Sequence, residues 1–410
     1  MSQKRIVVLG GGFAGLWSAA GAARKLDELG IGTDQVEVTL VNRDAFHGIR
    51  VRNYESDLSE VRVPLDDVLR PIGVRRIEAE VADFDFARQE VTLRSADGET
   101  ALPYDRLVVA LGSQLVRPTI PGLVEYAHDV DTYAGAARLA RHLETLPKRR
   151  DDAARYSVLV VGAGLTGIET ACEIGGQLRE IQSRHAQSSP VRVILADRNA
   201  HIGSDMGDAA RPIIERALAD LGIETPTAID VVEVRDEGAR LATGERIAAA
   251  TLVWCAGMRA NALTAKFPVE RDRFGRLPVD EFMRVRSMDN VFAAGDSAWA
   301  WMEAGHASVM SCQHGRPMGR FAGHNVVCHL LGRPMLPLAI DWYVTVLDLG
   351  PWGAVYAEGW DRRVVAVGAA AKATKQTINR QRIYPPRGGD RAAILAAAAP
   401  VVQKPPAYQA

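Results

Sequence analysis

The chain has 410 residues, 47% of them hydrophobic, enough for two or three domains with sizeable cores. Its 49 basic and 50 acidic side chains nearly cancel, which argues against a nucleic-acid partner or an anionic membrane surface. No apolar run approaches the roughly eighteen residues of a membrane span, and the first buried strand starts too early for a signal peptide, so a cytoplasmic location is expected.

The β-branched run Ile6 to Leu9 enters Gly10-Gly11-Gly12, and Phe13-Ala14-Gly15-Leu16 opens an alanine-rich amphipathic stretch. This predicts strand, tight turn and helix, with G-x-G-x-x-G formed by Gly10, Gly12 and Gly15. The first glycine allows the turn, the second lets a pyrophosphate approach the backbone, and the third lets the helix pack on the strand. The helix N-terminus offers free N–H groups to the phosphates.

Val36 to Asn42 reads as the next strand, and its end is where an acidic residue usually meets an adenosine ribose. Here Asn42 stands there, followed by Arg43. An amide can still bond a ribose hydroxyl; the competing reading is a turn former. The segment Phe46 to Arg76 is charged and aperiodic apart from a helix near Pro64 to Leu69. Arg76 to Ala82, which includes Val81, and Glu90 to Arg94 read as strands. Tyr104 to Ser113, through Ala110 and Gly112, reads as a buried strand ending in a glycine turn. Pro118 and Pro121-Gly122 mark a crossing between domains.

The glycine pattern then recurs. Ser157 to Glu169 repeats strand, loop and helix, with Gly162, Gly164 and Gly167 at the same spacing and Thr166 at the helix start. Two dinucleotide folds imply two dinucleotides, most simply a bound FAD and an exchanging nicotinamide. The strand Val191 to Asp197 ends in a carboxylate suited to an unmodified ribose. This favours NADH, although Arg198 leaves NADPH possible. Thr251 to Met258, through Gly257, and Asn290 to Asp296, followed by Ala298, are further buried strands with glycine turns. Gly295-Asp296 suits a ribityl or ribose hydroxyl and returns the chain to the first domain.

Beyond about Pro334, Tyr343 to Leu347 and Arg363 to Val367 look like strands, and a Pro- and Ala-rich tail is expected to drape loosely. Cys172, Cys255, Cys312 and Cys328 include no C-x-x-C pair, against a redox-active dithiol, and nine scattered histidines predict no metal.

Together these stretches resemble the two-dinucleotide-binding-domain flavoproteins of glutathione-reductase-like fold, over residues 4 to about 330. Within them the chain is most similar to type II NADH dehydrogenases, by Thr39 to His47, by Gly-Ile-Glu169 after the second loop, and by the segment after Asp296. The resemblance places Glu169 near the nicotinamide–flavin junction, where a carboxylate could relay protons. The plainer alternative is a carboxylate stabilised by a helix N-terminus. The family's A-Q-x-A-x-Q quinone stretch is here Ser308-Val-Met-Ser-Cys-Gln313: the second glutamine is kept as Gln313, and Val309 replaces the first. Gln313 would donate to a quinone carbonyl or to the flavin, or else be satisfied by backbone. Ala371 to Lys375 matches the family's Ala-Lys-x-x-Lys, which implies that Lys375 reaches the flavin ring. The family's C-terminal amphipathic membrane helices have no counterpart here, since Pro385-Pro386 and Pro400 to Pro406 break any long helix. Trp342, Tyr343, Trp352, Tyr356 and Trp360 are expected in a core or subunit interface rather than a greasy patch.

The expected fold is α/β: two Rossmann-like domains, the NAD(P)H domain inserted in the FAD domain, plus a small C-terminal α+β region. The expected boundaries are 1–120 and 286–333 for FAD, 121–285 for NAD(P)H and 334–410 for the remainder. The expected function is hydride transfer from NADH to FAD, then electron transfer to a small quinone-type acceptor, without a membrane span or peripheral membrane contact. A homodimer is compatible with the sequence. Reduction of a protein electron carrier would need a concentrated charged face, and sulfide oxidation would need Cys172 and Cys312 to meet. A non-catalytic NADH sensor is the third alternative.

Overall fold

The computed structural model describes residues 3–303 and 305–405. The first sheet is wholly parallel, in the order Val291–Ala293, Arg106–Val109, Lys4–Leu9, Val36–Asn42, Arg75–Glu78. The second is also parallel, in the order Ala127–His128, Thr251–Trp254, Ser157–Val161, Arg192–Ala196, Ile223–Glu224. Strand Val291–Ala293 lies beyond all of the second sheet in sequence yet completes the first. The second unit is thus inserted in the first. Covered on both faces, the central strands read as continuous apolar runs: Ile6 to Leu9 and Leu107 to Val109 are fully buried.

The two units are joined by a narrow antiparallel ribbon, Ser113–Leu115 paired with Met258–Ala260. The two parts of the first unit are locked by a helix pair, Phe13–Glu28 against Cys312–Leu330. A side chain at Gly319 would overlap the Ala14 carbonyl oxygen, and one at Gly323 that of Ser18. Glycine is what lets these helices touch along their backbones.

The structure departs from the sequence reading in two places. The stretch Arg76 to Ala82 is not one strand: it breaks at Ala79 between Arg75–Glu78 in the first sheet and Glu80–Asp85 in a separate antiparallel sheet with Glu90–Ser95 and Gly98–Pro103. The tail is not loose throughout. Asp390 caps a helix, Arg391–Ala397, by accepting from the N–H groups of Ala392 and Ala393, and Ile394, Leu395 and Ala398 pack into the first core. The alternation of alanine with two larger apolar residues was enough to bury one face. Residue Pro406 lies outside the described residues. Of the aromatic set, Tyr343 and Tyr356 are buried as expected, Trp342, Trp352 and Trp360 are half-buried, and Trp360 stacks on Tyr343 with ring centroids 4.5 Å apart.

Two fully buried histidines make this fold acid-sensitive. His47 Nδ1 lies 2.9 Å from the Gly11 carbonyl, and His314 Nδ1 accepts the Val309 N–H at 2.8 Å. Burial pulls both down to about 4, against about 6.5 for a free imidazole. A depressed imidazole contributes stability that is present above pH ~6.5 and lost as pH falls toward 4. Each histidine should cost on the order of 2 kcal/mol between pH 7 and pH 5. Urea melts at the two pH values, repeated on His47→Gln, will check both the size and the origin of the loss.

Candidate functional site

The two glycine loops are built alike. Gly10 and Gly162 have φ of 102° and 103°, in the region where only glycine sits without strain. Each donates to the end of the neighbouring strand, Gly10 to Val41 O and Gly162 to Ala196 O, both at 2.8 Å. A Cβ on Gly15 would overlap the Gly10 carbonyl, and one on Gly167 would overlap the Gly162 carbonyl. The middle glycines differ from these. Gly12 is exposed, and a Cβ there would meet nothing; at Gly164 it would meet only Asp205 Oδ2, 3.3 Å away. Close packing at the outer glycines and open space at the middle one is the cradle a pyrophosphate requires, so the residues fit the dinucleotides their sequence implied.

The strand-end residues also correspond. Asn42 Oδ1 accepts the Gly11 N–H at 2.8 Å, and Asp197 Oδ2 accepts the Ala163 N–H at 2.5 Å. Asp197 Oδ1 further accepts the Asn199 N–H at 2.7 Å. Asn42 Nδ2 is spent on Asp44 and the Phe46 carbonyl, so its amide clamps the loop, and only Oδ1 keeps a free lone pair for a ribose. Arg43 is exposed, 3.9 Å from Asp44.

The remaining sequence candidates gather around these loops to different degrees. Ala110 lies over Gly10, and Ala14 touches Gly295, so the first loop, the Arg106–Val109 strand end and the Gly295-Asp296 turn converge. Phe13 packs edge-on against His47, while Ala298 is buried just beyond the turn. Gly112 and Gly257 both have positive φ; Gly112 O accepts from the Asn261 N–H and Gly257 O from the Val116 N–H, at the ribbon between the units. Thr166 is exposed on the first turn of its helix. Val81 sits apart, half-buried in the antiparallel sheet.

Asp296 Oδ2 accepts the Ser113 hydroxyl at 2.6 Å, and Ser113 Oγ in turn receives Arg50 Nη1 at 2.8 Å. Arg50 also pairs with Asp131. Sequence reading missed Arg50 because it lies in the aperiodic charged segment, where no spacing singles it out.

Glu169, on the helix Leu165–Arg184, meets Lys375, on Ala369–Thr377, at 2.7 Å. The Asp348 N–H reaches the same Glu169 oxygen at 3.1 Å, and Lys375 also donates to the Val346 carbonyl at 2.9 Å. Burial lifts the Glu169 carboxyl above the usual range, outweighing the ammonium beside it. Burial also works against the Lys375 ammonium, but Glu169 and Asp348 more than restore it. Behind this pair, Lys372 bonds Asp348 and stands 3.6 Å from Glu173. A cavity of about 230 Å³ leads outward from there, lined by Arg52, Glu55, Glu173, Asp348, Lys372 and Lys375 among others. Asp348 was also missed, since no local motif marks a strand-end aspartate that folding brings to Glu169; Lys372 lies within the Ala371 to Lys375 stretch, but its pairing with Asp348 was not read from it.

Gln313 lies at the start of Cys312–Leu330, which Ser311 caps by accepting the His314 N–H. Gln313 Oε1 accepts the Val344 N–H at 3.4 Å, and Nε2 is buried without a partner among the described residues. The four cysteines are free. Cys172 packs in the core of the second unit and Cys312 against the Ile49–Val61 cluster, and burial pushes both thiols up. Neither is set up as a nucleophile. Among the described residues no group of histidine, cysteine and carboxylate side chains could hold a metal ion, and no helix is long and apolar enough to cross a membrane.

Residues 4–319 match the family model described as pyridine nucleotide-disulphide oxidoreductase. The chain is 56% identical to the NADH dehydrogenase-like protein Rv1812c of Mycobacterium tuberculosis, over 98% of this chain and 100% of that one. It is 29% identical to the demethylphylloquinone reductase NdbB of Synechocystis sp., over 86% of each chain. Among solved structures, NDH2 from Plasmodium falciparum in complex with NADH superposes with a TM-score of 0.76 over 97% of both chains, at 13% identity, a likeness of fold. With both dinucleotide loops built as described and no dithiol beside them, the chain belongs to the pyridine nucleotide-disulphide oxidoreductase family of flavoproteins, and its cofactors are FAD and NADH.

Proposed function

We propose that the protein oxidises NADH and passes the electrons to a quinone-type small molecule. The observations that carry this reading are the buried Glu169–Lys375 pair and a glutamine, Gln313, whose buried Nε2 has no partner among the described residues. Glu169 sits on the helix that starts at the second glycine loop, and Gln313 sits in the first turn of the helix that packs on the Gly295-Asp296 turn. Bound FAD supplies the hydride acceptance and onward electron transfer that no side chain here can perform.

The protein's own part is positioning and proton management. The Gly162 to Gly167 loop holds the NADH pyrophosphate, and Asp197 accepts from the ribose hydroxyls. The first loop, with Asp296, holds the flavin nucleotide. Glu169, its Oε1 held by Lys375 and the Asp348 N–H and its carboxyl lifted by burial, can take up and release a proton at Oε2 where charge changes during reduction. Gln313 Nε2 donates to a carbonyl of the acceptor, which satisfies a donor otherwise stranded. The demethylphylloquinone reductase relative supports a quinone as that acceptor.

Anaerobic stopped-flow tests this directly. Mixing with NADH should bleach the flavin bands, and a soluble quinone should restore them. In Gln313→Ala the recovery should slow roughly tenfold with bleaching intact, the loss expected of one hydrogen bond; equal loss of both phases would refute the acceptor role. Asp197→Ala should lower the NADH-to-NADPH ratio of kcat/KM, and an unchanged ratio would remove Asp197 from the ribose site.

A further inference from the structure

On the outer side of the Phe13–Glu28 and Cys312–Leu330 helix pair lies a second cavity of about 430 Å³, roofed by residues 380–387 with Ala397 and Gln403. Its lining includes Arg316, Arg320, Arg380, Arg382, Arg387 and Trp17, and no carboxylate among the described residues. Arg387 pairs with the exposed Glu60 at 3.5 Å, and Arg380 also borders the first cavity. Among the described residues, Arg382 donates to the carbonyl of Lys404, at 2.7 Å.

Arg320 is the unusual member. It is 1% exposed, and its Nε and Nη2 have no partner among the described residues; the neighbouring Arg316 Nε is buried and unpartnered as well. Both guanidinium groups lean on the Trp17 ring, at 4.6 and 5.6 Å from its centroid, and the Trp17 indole N–H is a fourth stranded donor among the described residues. Stacking on an indole offsets part of the cost of burying a cation but satisfies none of its N–H groups. Burial, with Arg316 adding to it, drags Arg320 down to about 9. A protein rarely keeps a buried arginine without a carboxylate unless an anion supplies the missing charge.

We infer that this cavity is a binding site for a small molecule carrying two or more anionic oxygen groups, of phosphate or carboxylate type. Planar guanidinium forks bond such groups bidentately, and Arg316 and Arg320, one turn apart on a single helix, can engage adjacent groups while Arg382 closes from the roof. The site is separate from both glycine loops, none of whose residues line it.

The test is isothermal titration of the purified FAD-loaded protein with inorganic pyrophosphate and, in parallel, with citrate, in the presence of excess NAD⁺ to block the second loop. One-to-one binding of at least one of them is expected, with a tryptophan fluorescence change that disappears in Trp17→Phe. The tighter of the two names the anion class. Affinity should fall roughly tenfold or more in Arg320→Met, as for loss of a charge-assisted pair, and by a smaller factor in Arg382→Ala, a roof residue whose loss leaves the core untouched. Absence of saturable binding for both anions, or binding that neither arginine substitution weakens, would overturn the proposal.

Discussion

A Gly167→Ala variant will purify with its full complement of FAD and be reduced by NADH roughly a hundredfold more slowly, whereas Gly15→Ala will emerge largely free of flavin. The expectation rests on one contact made twice. At each position a Cβ would overlap the carbonyl oxygen of the first glycine of its own loop, and that oxygen is backbone, unable to swing aside. The helix must retreat from the strand, carrying its N-terminal N–H groups away from the pyrophosphate, and a displacement of about 1 Å is enough for a loss of about 10²-fold. Flavin absorbance per protein, together with reduction rates at several NADH concentrations, distinguishes the two variants. Flavin loss in both would mean that the two loops do not serve separate ligands.

The second large effect concerns the Glu169–Lys375 pair. Replacing Lys375 with methionine leaves a carboxylate, 8% exposed as a side chain, with only the Asp348 N–H for company. Removing one partner of a buried ion pair costs about 3–5 kcal/mol. The carboxyl, already lifted by burial, is lifted further. A group raised in the folded state contributes stability below its unfolded pKa and loses it as pH rises through the folded value. Lys375→Met should therefore be least harmful near pH 5 and most harmful near pH 8. Glu169→Gln/Lys375→Met should recover most of the loss, because a neutral amide no longer needs the ammonium. Urea melts of the single and double variants across that range provide the measurement. A penalty independent of pH would show that Lys375 acts through packing alone.

What was legible in the sequence follows from how local each feature is. The glycine loops could be read because strand, turn and helix are consecutive, and each glycine answers a steric demand within a few residues. The insertion could be read because Asn290 to Asp296 repeats the strand-then-glycine pattern late in the chain. Asp348 and Arg50 could not, since each gains its meaning from a partner over twenty residues away: Lys372 for Asp348, Asp131 for Arg50. The break at Ala79 was hidden because two strands of different sheets run on without a glycine or proline between them. The Arg391–Ala397 helix was hidden by its alanines, which look like a linker until Ile394 and Leu395 find the first core.

The ribbon of Ser113–Leu115 and Met258–Ala260 has an architectural meaning. Leu115 and Met258 face each other across it, so a hairpin turn could join them directly. The shortened chain would keep all five strands of the flavin sheet and both helices of the glycine seam. Seen this way, the molecule is a flavoprotein with a second copy of its own nucleotide fold spliced into one hairpin.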